Sequence, residues 1–120
     1  MNPFLPLLLL AMLTASSLGA DGPIRHIVHF KFKAEATPAQ VEQVVKEFAA
    51  LKAKIAVIDG FEAGTDVSPE GLSKGFKHCW IVTFKDAAAR DIYLKHPDHE
   101  AFVAIVKPLL DDVLVVDFIP

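Results

Sequence analysis

The chain has 120 residues, of which 52% are apolar and 22% charged, with a formal net charge of −3. That length holds one ordinary domain, and that composition is globular rather than disordered. The Lys and Arg residues are scattered without a cluster, which excludes the basic footprint of a nucleic-acid or anionic-membrane binder.

Residues 1 to 20 carry no charged side chain, and Phe4 to Leu13 is nearly unbroken Leu, Ala and Met. Ala15, Ser16, Ser17, Gly19 and Ala20 follow, and the first charge is Asp21. An apolar run of about ten residues ending in small ones fits a secretory signal, and falls short of the ~20 residues of a membrane span. The expectation is a cleaved signal peptide over 1–20, a mature domain over 21–120 with no stable membrane span, and a secreted or periplasmic protein. Only the terminal amine supplies positive charge at the front, so a retained membrane tether is the competing reading. Cys79 is the only cysteine, which rules out an intrachain disulfide. Within a strand pattern such a thiol reads as a small apolar filler.

From Ile24 to Lys33, apolar Ile24, Val28, Phe30 and Phe32 alternate with Arg25, His29, Lys31 and Lys33. This period of two marks a strand with one buried face, and His26 falls on that face. Thr37-Pro38-Ala39-Gln40 is a helix start: a capping threonine, a proline suited to the first helical position, and a glutamine completing a capping box. Val41, Val44, Val45, Phe48 and Leu51 then form an apolar stripe to about Lys54. Asp59-Gly60 breaks the pattern, Phe61 to Ser68 reads as a second strand, and Pro69 to Gly75 as a polar loop. Lys77 to Phe84 is a third strand, with His78, Trp80, Val82 and Phe84 on one face.

Asp86 can cap a helix over Ala87 to Leu94, interrupted near His96-Pro97 because a residue before proline avoids helical geometry. The pattern resumes at about Asp98, with Phe102, Val103, Val106 and Leu109 on one stripe. Val113 to Ile119 is a last strand, apolar on both faces apart from Asp117.

Two successive strand-helix-strand units predict an α+β, ferredoxin-like βαββαβ domain, a four-stranded antiparallel sheet with its helices on one face. The other sheet face lacks helices, and the last strand has apolar side chains to cover on both sides. At roughly 1.5 to 3 kcal/mol per large side chain buried, several left in water are costly. A homodimer formed through sheet faces is therefore expected.

The densest chemistry lies in Tyr93-Leu94-Lys95-His96-Pro97-Asp98-His99. An imidazole with a pKa of about 6.5 can abstract a proton next to a carbonyl, and a phenol can hydrogen-bond the resulting enolate oxygen. Tyr93 and His99 are the candidate catalytic pair. The structural alternative is that His99 and Asp98 serve the helix restart while Tyr93 packs. Because the first and third strands are expected to be antiparallel neighbours, the start of the first lies beside the end of the third, and His26 comes near Tyr93. His78, at the other end of the third strand, should lie far from His26. Phe30 and Trp80 are apolar candidates to line a binding site or, with Phe48 and Phe102, to fill the core. His96 and His99 lack a third ligand at a recognisable spacing, so no metal is expected. Nothing specifies a haem ligand among His29, His96 and His99, and no glycine-rich phosphate loop is present.

These segments also carry a resemblance. The stretch His26 to Lys33, Phe61 to Asp66, His78 to Phe84, Tyr93 to His99 and Val116-Asp117-Phe118 is similar to the stress-responsive dimeric α+β barrel (Dabb) family. The resemblance covers essentially the whole mature domain, and the His-Pro-x-His run with a tyrosine three residues upstream is its most specific part. It implies a ferredoxin-like fold that dimerises through its sheets into a barrel, and a stress-associated or small-molecule-binding role without a cofactor. One plant member is a polyketide cyclase, whose catalytic tyrosine and histidine correspond to Tyr93 and His99 and whose pocket histidines correspond to His26 and His78. The resemblance thus implies, as alternatives, a cofactor-free cyclase-like activity or the oxygenating chemistry of related α+β barrels, acting on a small apolar or aromatic ligand. Val44, Val45 and Phe48 stand where that cyclase has a more aromatic set.

Overall fold

Alternation along the first strand decides the architecture. In the computed structural model, which describes residues 22–120, β1 (Ile24–Phe32) buries Ile24, His26, Val28 and Phe30 on one face. The expected signal peptide lies outside the described residues. β1 is an inner strand of a four-stranded sheet of order β2-β3-β1-β4, where β2 is Gly60–Thr65, β3 His78–Phe84 and β4 Leu110–Phe118. All three pairings are antiparallel, and His26 stands opposite Val82 on one side and Asp117 on the other.

Helix α1 (Pro38–Lys54) starts as the sequence dictates. The Gln40 amide donates to Thr37 Oγ1 at 3.2 Å and the Thr37 amide donates to Gln40 Oε1 at 2.9 Å, which satisfies two of the N-terminal amides that a helix leaves unpaired. Its stripe of Val44, Phe48 and Leu51 is buried against the sheet. Phe48 packs 4.8 Å from Trp80 and 4.6 Å from Phe102, and Phe30 lies 4.7 Å from Trp80, ring centroid to centroid. This aromatic group is the centre of the core. The second helical region is two helices, α2 (Ala87–Lys95) and α3 (Pro97–Val106), and all helices cover one face of the sheet, as expected of a ferredoxin-like fold.

Two boundaries differ from the sequence reading by three residues each. β2 ends at Thr65, because the Ser68 amide donates to Asp66 Oδ1 at 2.9 Å and turns the chain out of the ladder. β4 begins at Leu110, before Val113, because a single 3-10 turn (Lys107–Leu109) ends α3 and the Lys33 amide already bonds the Leu109 carbonyl at 2.8 Å.

β4 is the exposed edge. Val113 (47%), Leu114 (45%), Val115 (49%), Val116 (48%) and Phe118 (44%) all keep nearly half their surface in solvent. Val113, Val115 and Asp117 pair with the helix-facing residues of β1, whereas Leu114, Val116 and Phe118 pair with His29, Ile27 and Arg25 on the helix-free face. An edge of this length and hydrophobicity is a template for association unless another surface covers it.

Candidate active site

The site is made by the break between α2 and α3. Pro97 lies four residues after Tyr93 and has no amide hydrogen, so the Tyr93 carbonyl accepts instead from the His96 amide at 3.1 Å. His96 then caps α3, its Nδ1 accepting from the Asp98 amide at 3.0 Å. Proline at the first helical position costs no hydrogen bond, so α3 restarts at Pro97 rather than at Asp98. With the Asp98 amide taken by His96, the Leu94 carbonyl has no helical partner and accepts from His99 Nδ1 at 3.2 Å. In one unbroken helix, residues six apart point about 120° away from each other. Here the rings of Tyr93 and His99 lie 4.4 Å apart, centroid to centroid.

His26 completes the cluster from the sheet. Its ring sits edge-on to Tyr93 at 5.9 Å and to Phe84 at 6.2 Å, and the residue is only 6% exposed. Its Nδ1 donates to Asp117 Oδ1 at 2.6 Å, a carboxylate being able only to accept. The second oxygen, Asp117 Oδ2, accepts from Arg90 of α2 at 3.1 Å. For both His26 and His99 the Nδ1 hydrogen is committed to an acceptor, and Nε2 is left for a ligand.

These side chains line one cavity of about 500 Å³ between α3, β1 and β4. His26, Tyr93, His99 and Asp117 form one end of it, and Val28, Phe30, Phe102, Val103, Val113 and Val115 supply apolar walls. Its size is that of a small-molecule site, and its apolar walls with few convergent polar groups have the usual make-up of one. Burial pushes the Tyr93 hydroxyl well above its ordinary pKa, so it is a neutral hydrogen-bond donor at physiological pH. Tyr93 is only 1% exposed, and its hydroxyl makes no hydrogen bond among the described residues. Burial also lowers the His99 pKa, against the opposing hydrogen bond to the Leu94 carbonyl, which keeps the imidazole neutral and basic near pH 7.

The other expected site residues are placed elsewhere, except Phe30, which lines the cavity. His78 pairs with Phe30, four residues along β3 from Val82, the partner of His26; that separates the two histidines by about 13 Å along the strands. His78 and Trp80 line a separate hollow of about 180 Å³ with Val45, Ala63, Gly64 and Thr65. Trp80, packed at a tilt against Phe48 and Phe30, belongs to the wall between the two. His29 and Cys79 face each other across β1 and β3 on the helix-free side, and burial raises the Cys79 pKa, keeping it a thiol. No group of three or more His, Cys, Asp or Glu is set to hold a metal ion among the described residues. Asp117 and Arg90 were not among the expected site residues. The signal for Asp117 was its isolation, the single acid in the apolar run from Val113 to Ile119.

A ferredoxin-like sheet with a polar cluster at a helix break beside β1 defines a class of small α+β barrel domains. Residues 24–120 match the Stress responsive A/B Barrel Domain, and the chain belongs to this Dabb family. It is 37% identical over 101 residues to the stress-response A/B barrel domain-containing protein HS1 of Arabidopsis thaliana, covering 84% of this chain and 93% of that protein. It is 29% identical over 97 residues to the olivetolic acid cyclase of Cannabis sativa, covering 81% of this chain and 96% of the cyclase. Among solved structures, a dimeric ferredoxin-like protein of unknown function from Thermobifida fusca superposes with a TM-score of 0.72 at 31% identity, covering 82% of this chain and 91% of that one.

Proposed function

We propose that this Dabb-family protein binds a small apolar or aromatic carbonyl compound in the 500 Å³ cavity and moves a proton on it without a cofactor. The observation that carries the reading is the convergence of Tyr93, His99 and His26 on one largely apolar cavity. In the proposed step His99 Nε2 takes a proton from the carbon next to the carbonyl, the C–H electron pair becomes the enolate, and Tyr93 donates a hydrogen bond to the enolate oxygen. The enolate then recovers a proton from His99, or attacks a second carbonyl of the same molecule, forming a carbon–carbon bond while the C=O π pair moves to that oxygen, which takes the proton back from His99. The second outcome is aldol ring closure, and the 29% identity to a cyclase supports including it. Tyr93 itself is buried, which strengthens a hydrogen bond from its hydroxyl.

The test is exchange of deuterium from heavy water into the carbon next to the carbonyl of aryl and alkyl methyl ketones. Wild type is expected to accelerate exchange, His99→Gln to abolish the acceleration, and Tyr93→Phe to reduce it by about 100-fold. Equal exchange with all three proteins would remove the proton-transfer reading and leave a binding protein.

The working form is a homodimer that covers β4 and the helix-free sheet face. The half-exposed apolar residues of β4 support this, as do the dimeric relatives of the same fold. Export through the leader is supported by the uncharged, apolar character of residues 1 to 20 and is tested by determining the N-terminus of the protein recovered from cells.

A further inference from the structure

The cavity is chemically lopsided. Four of the five polar residues that line it, His26, Tyr93, His99 and Asp117, stand together. The remaining polar residue of the lining is Lys107, an exposed side chain at the opposite end. The register gives the direction: Asp117 pairs with His26, Val115 with Val28, Val113 with Phe30, and Leu110 with Phe32, so the floor runs from polar to apolar toward Leu110. Along the wall, α3 carries His99 near its start and leads directly into Lys107 in the following turn. Eight residues of helical rise put Lys107 about 12 Å beyond His99. Lys107 takes part in no ion pair among the described residues, whereas Asp117 is engaged by both His26 and Arg90.

We infer that the ligand is elongated, with a carbonyl at the Tyr93–His99 end and a carboxylate at the Lys107 end, separated by an apolar stretch. This rests on the cavity reading above and narrows it to a class, the long-chain or extended aromatic keto acids. The carboxylate sets the direction of binding, drawn to Lys107. The chain as a whole carries a charge of −3, so its net field does not attract anions, and a preference for them must come from a local cation. A competing role for Lys107 is to complement the C-terminal dipole of α3, which would affect stability alone.

The test is calorimetric titration of the full chain with oxo-undecanoic acid whose ketone is remote from the carboxylate, and with the corresponding primary amide. The acid is expected to bind about fivefold more tightly than the amide, the upper end for an ion pair open to solvent. Lys107→Met should remove the difference, Lys107→Arg should keep it, and added salt should erode it. If acid and amide bind alike and Lys107→Met changes neither, the carboxylate end is wrong while the cavity reading stands. If neither binds but aryl methyl ketones do, the elongated class is wrong. If no ketone binds at all, this inference and the cavity reading fall together.

Discussion

Asp117 Oδ1 lies 2.6 Å from His26 Nδ1, joining the last strand of the chain to the first across 91 residues of sequence. The contact pins the imidazole in a single tautomer with Nε2 unclaimed. Asp117 is in turn held by Arg90, so the orientation of a buried ring is set from the protein surface.

Replacing that carboxylate by its neutral isostere isolates its contribution. Asp117→Asn is expected to lower the unfolding free energy by about 1 to 3 kcal/mol, the range for a hydrogen bond to a charged group and its unpaired remnant. Chemical denaturation measures this. A variant as stable as wild type would show that the contact adds nothing to folding.

The lowered pKa of His99 gives pH dependence a definite sign. The unfolded chain binds this proton around 6.5, whereas the folded chain binds it only at lower pH. Between the two the unfolded state holds more protons, so stability falls as the pH drops through that window. His78, also lowered by burial, adds in the same direction. Deuterium exchange that depends on neutral His99 should be flat near neutrality and decline only below 6.5. A decline already setting in above that value would contradict the burial argument.

The aromatic core separates two kinds of loss. Phe48→Ala should cost about 3 to 5 kcal/mol, the usual range for truncating a buried aromatic. Trp80→Phe should cost less, because Trp80 Nε1 is buried without a hydrogen-bond partner and its removal sacrifices packing alone. Paired denaturation curves decide this, and a Trp80→Phe loss as large as that of Phe48→Ala would imply a partner for the indole.

Pro97→Ala tests the helix break. An alanine restores the amide hydrogen that Tyr93 could accept four residues on, favouring one continuous helix. Stability is expected to change by less than about 1 kcal/mol, since the loss of chain restriction is small. Exchange activity should fall much more, as Tyr93 and His99 separate. Unchanged activity would show that the break is not needed for the site.

A half-exposed residue of β4 reports on assembly. Val116→Lys places a charge on the helix-free face and is expected to turn a dimer into a monomer in sedimentation, with the fold retained by circular dichroism. Wild type sedimenting as a monomer at micromolar concentration would count against the dimer directly.

Much of this is legible in the sequence because the signals are local and redundant. The alternation in β1, the capping box at Thr37 and the stripe along α1 each point to one conformation, and together to one fold. The nearness of His26 to Tyr93 was legible for a different reason: antiparallel neighbours place the start of one strand beside the end of the next. Asp117 and Arg90 escaped because their meaning lies in a pairing between residues far apart in sequence, which no periodicity records. Lys107 escaped because a lysine at the end of a helix has an ordinary explanation, and only the cavity beside it suggests another. The division of Trp80 and His78 from the main cavity depends on ring packing, which residue identity alone does not fix.

The most direct test of the cavity follows the histidine ring signals by nuclear magnetic resonance while the full chain is titrated with an aryl methyl ketone. His26 and His99 should shift together along one saturating curve, with Tyr93 broadening in step, while His29 and His78 stay still. No saturable shift at His26 and His99, or movement centred on His78 or His29 instead, would show that the ligand site is not the cavity at the helix break.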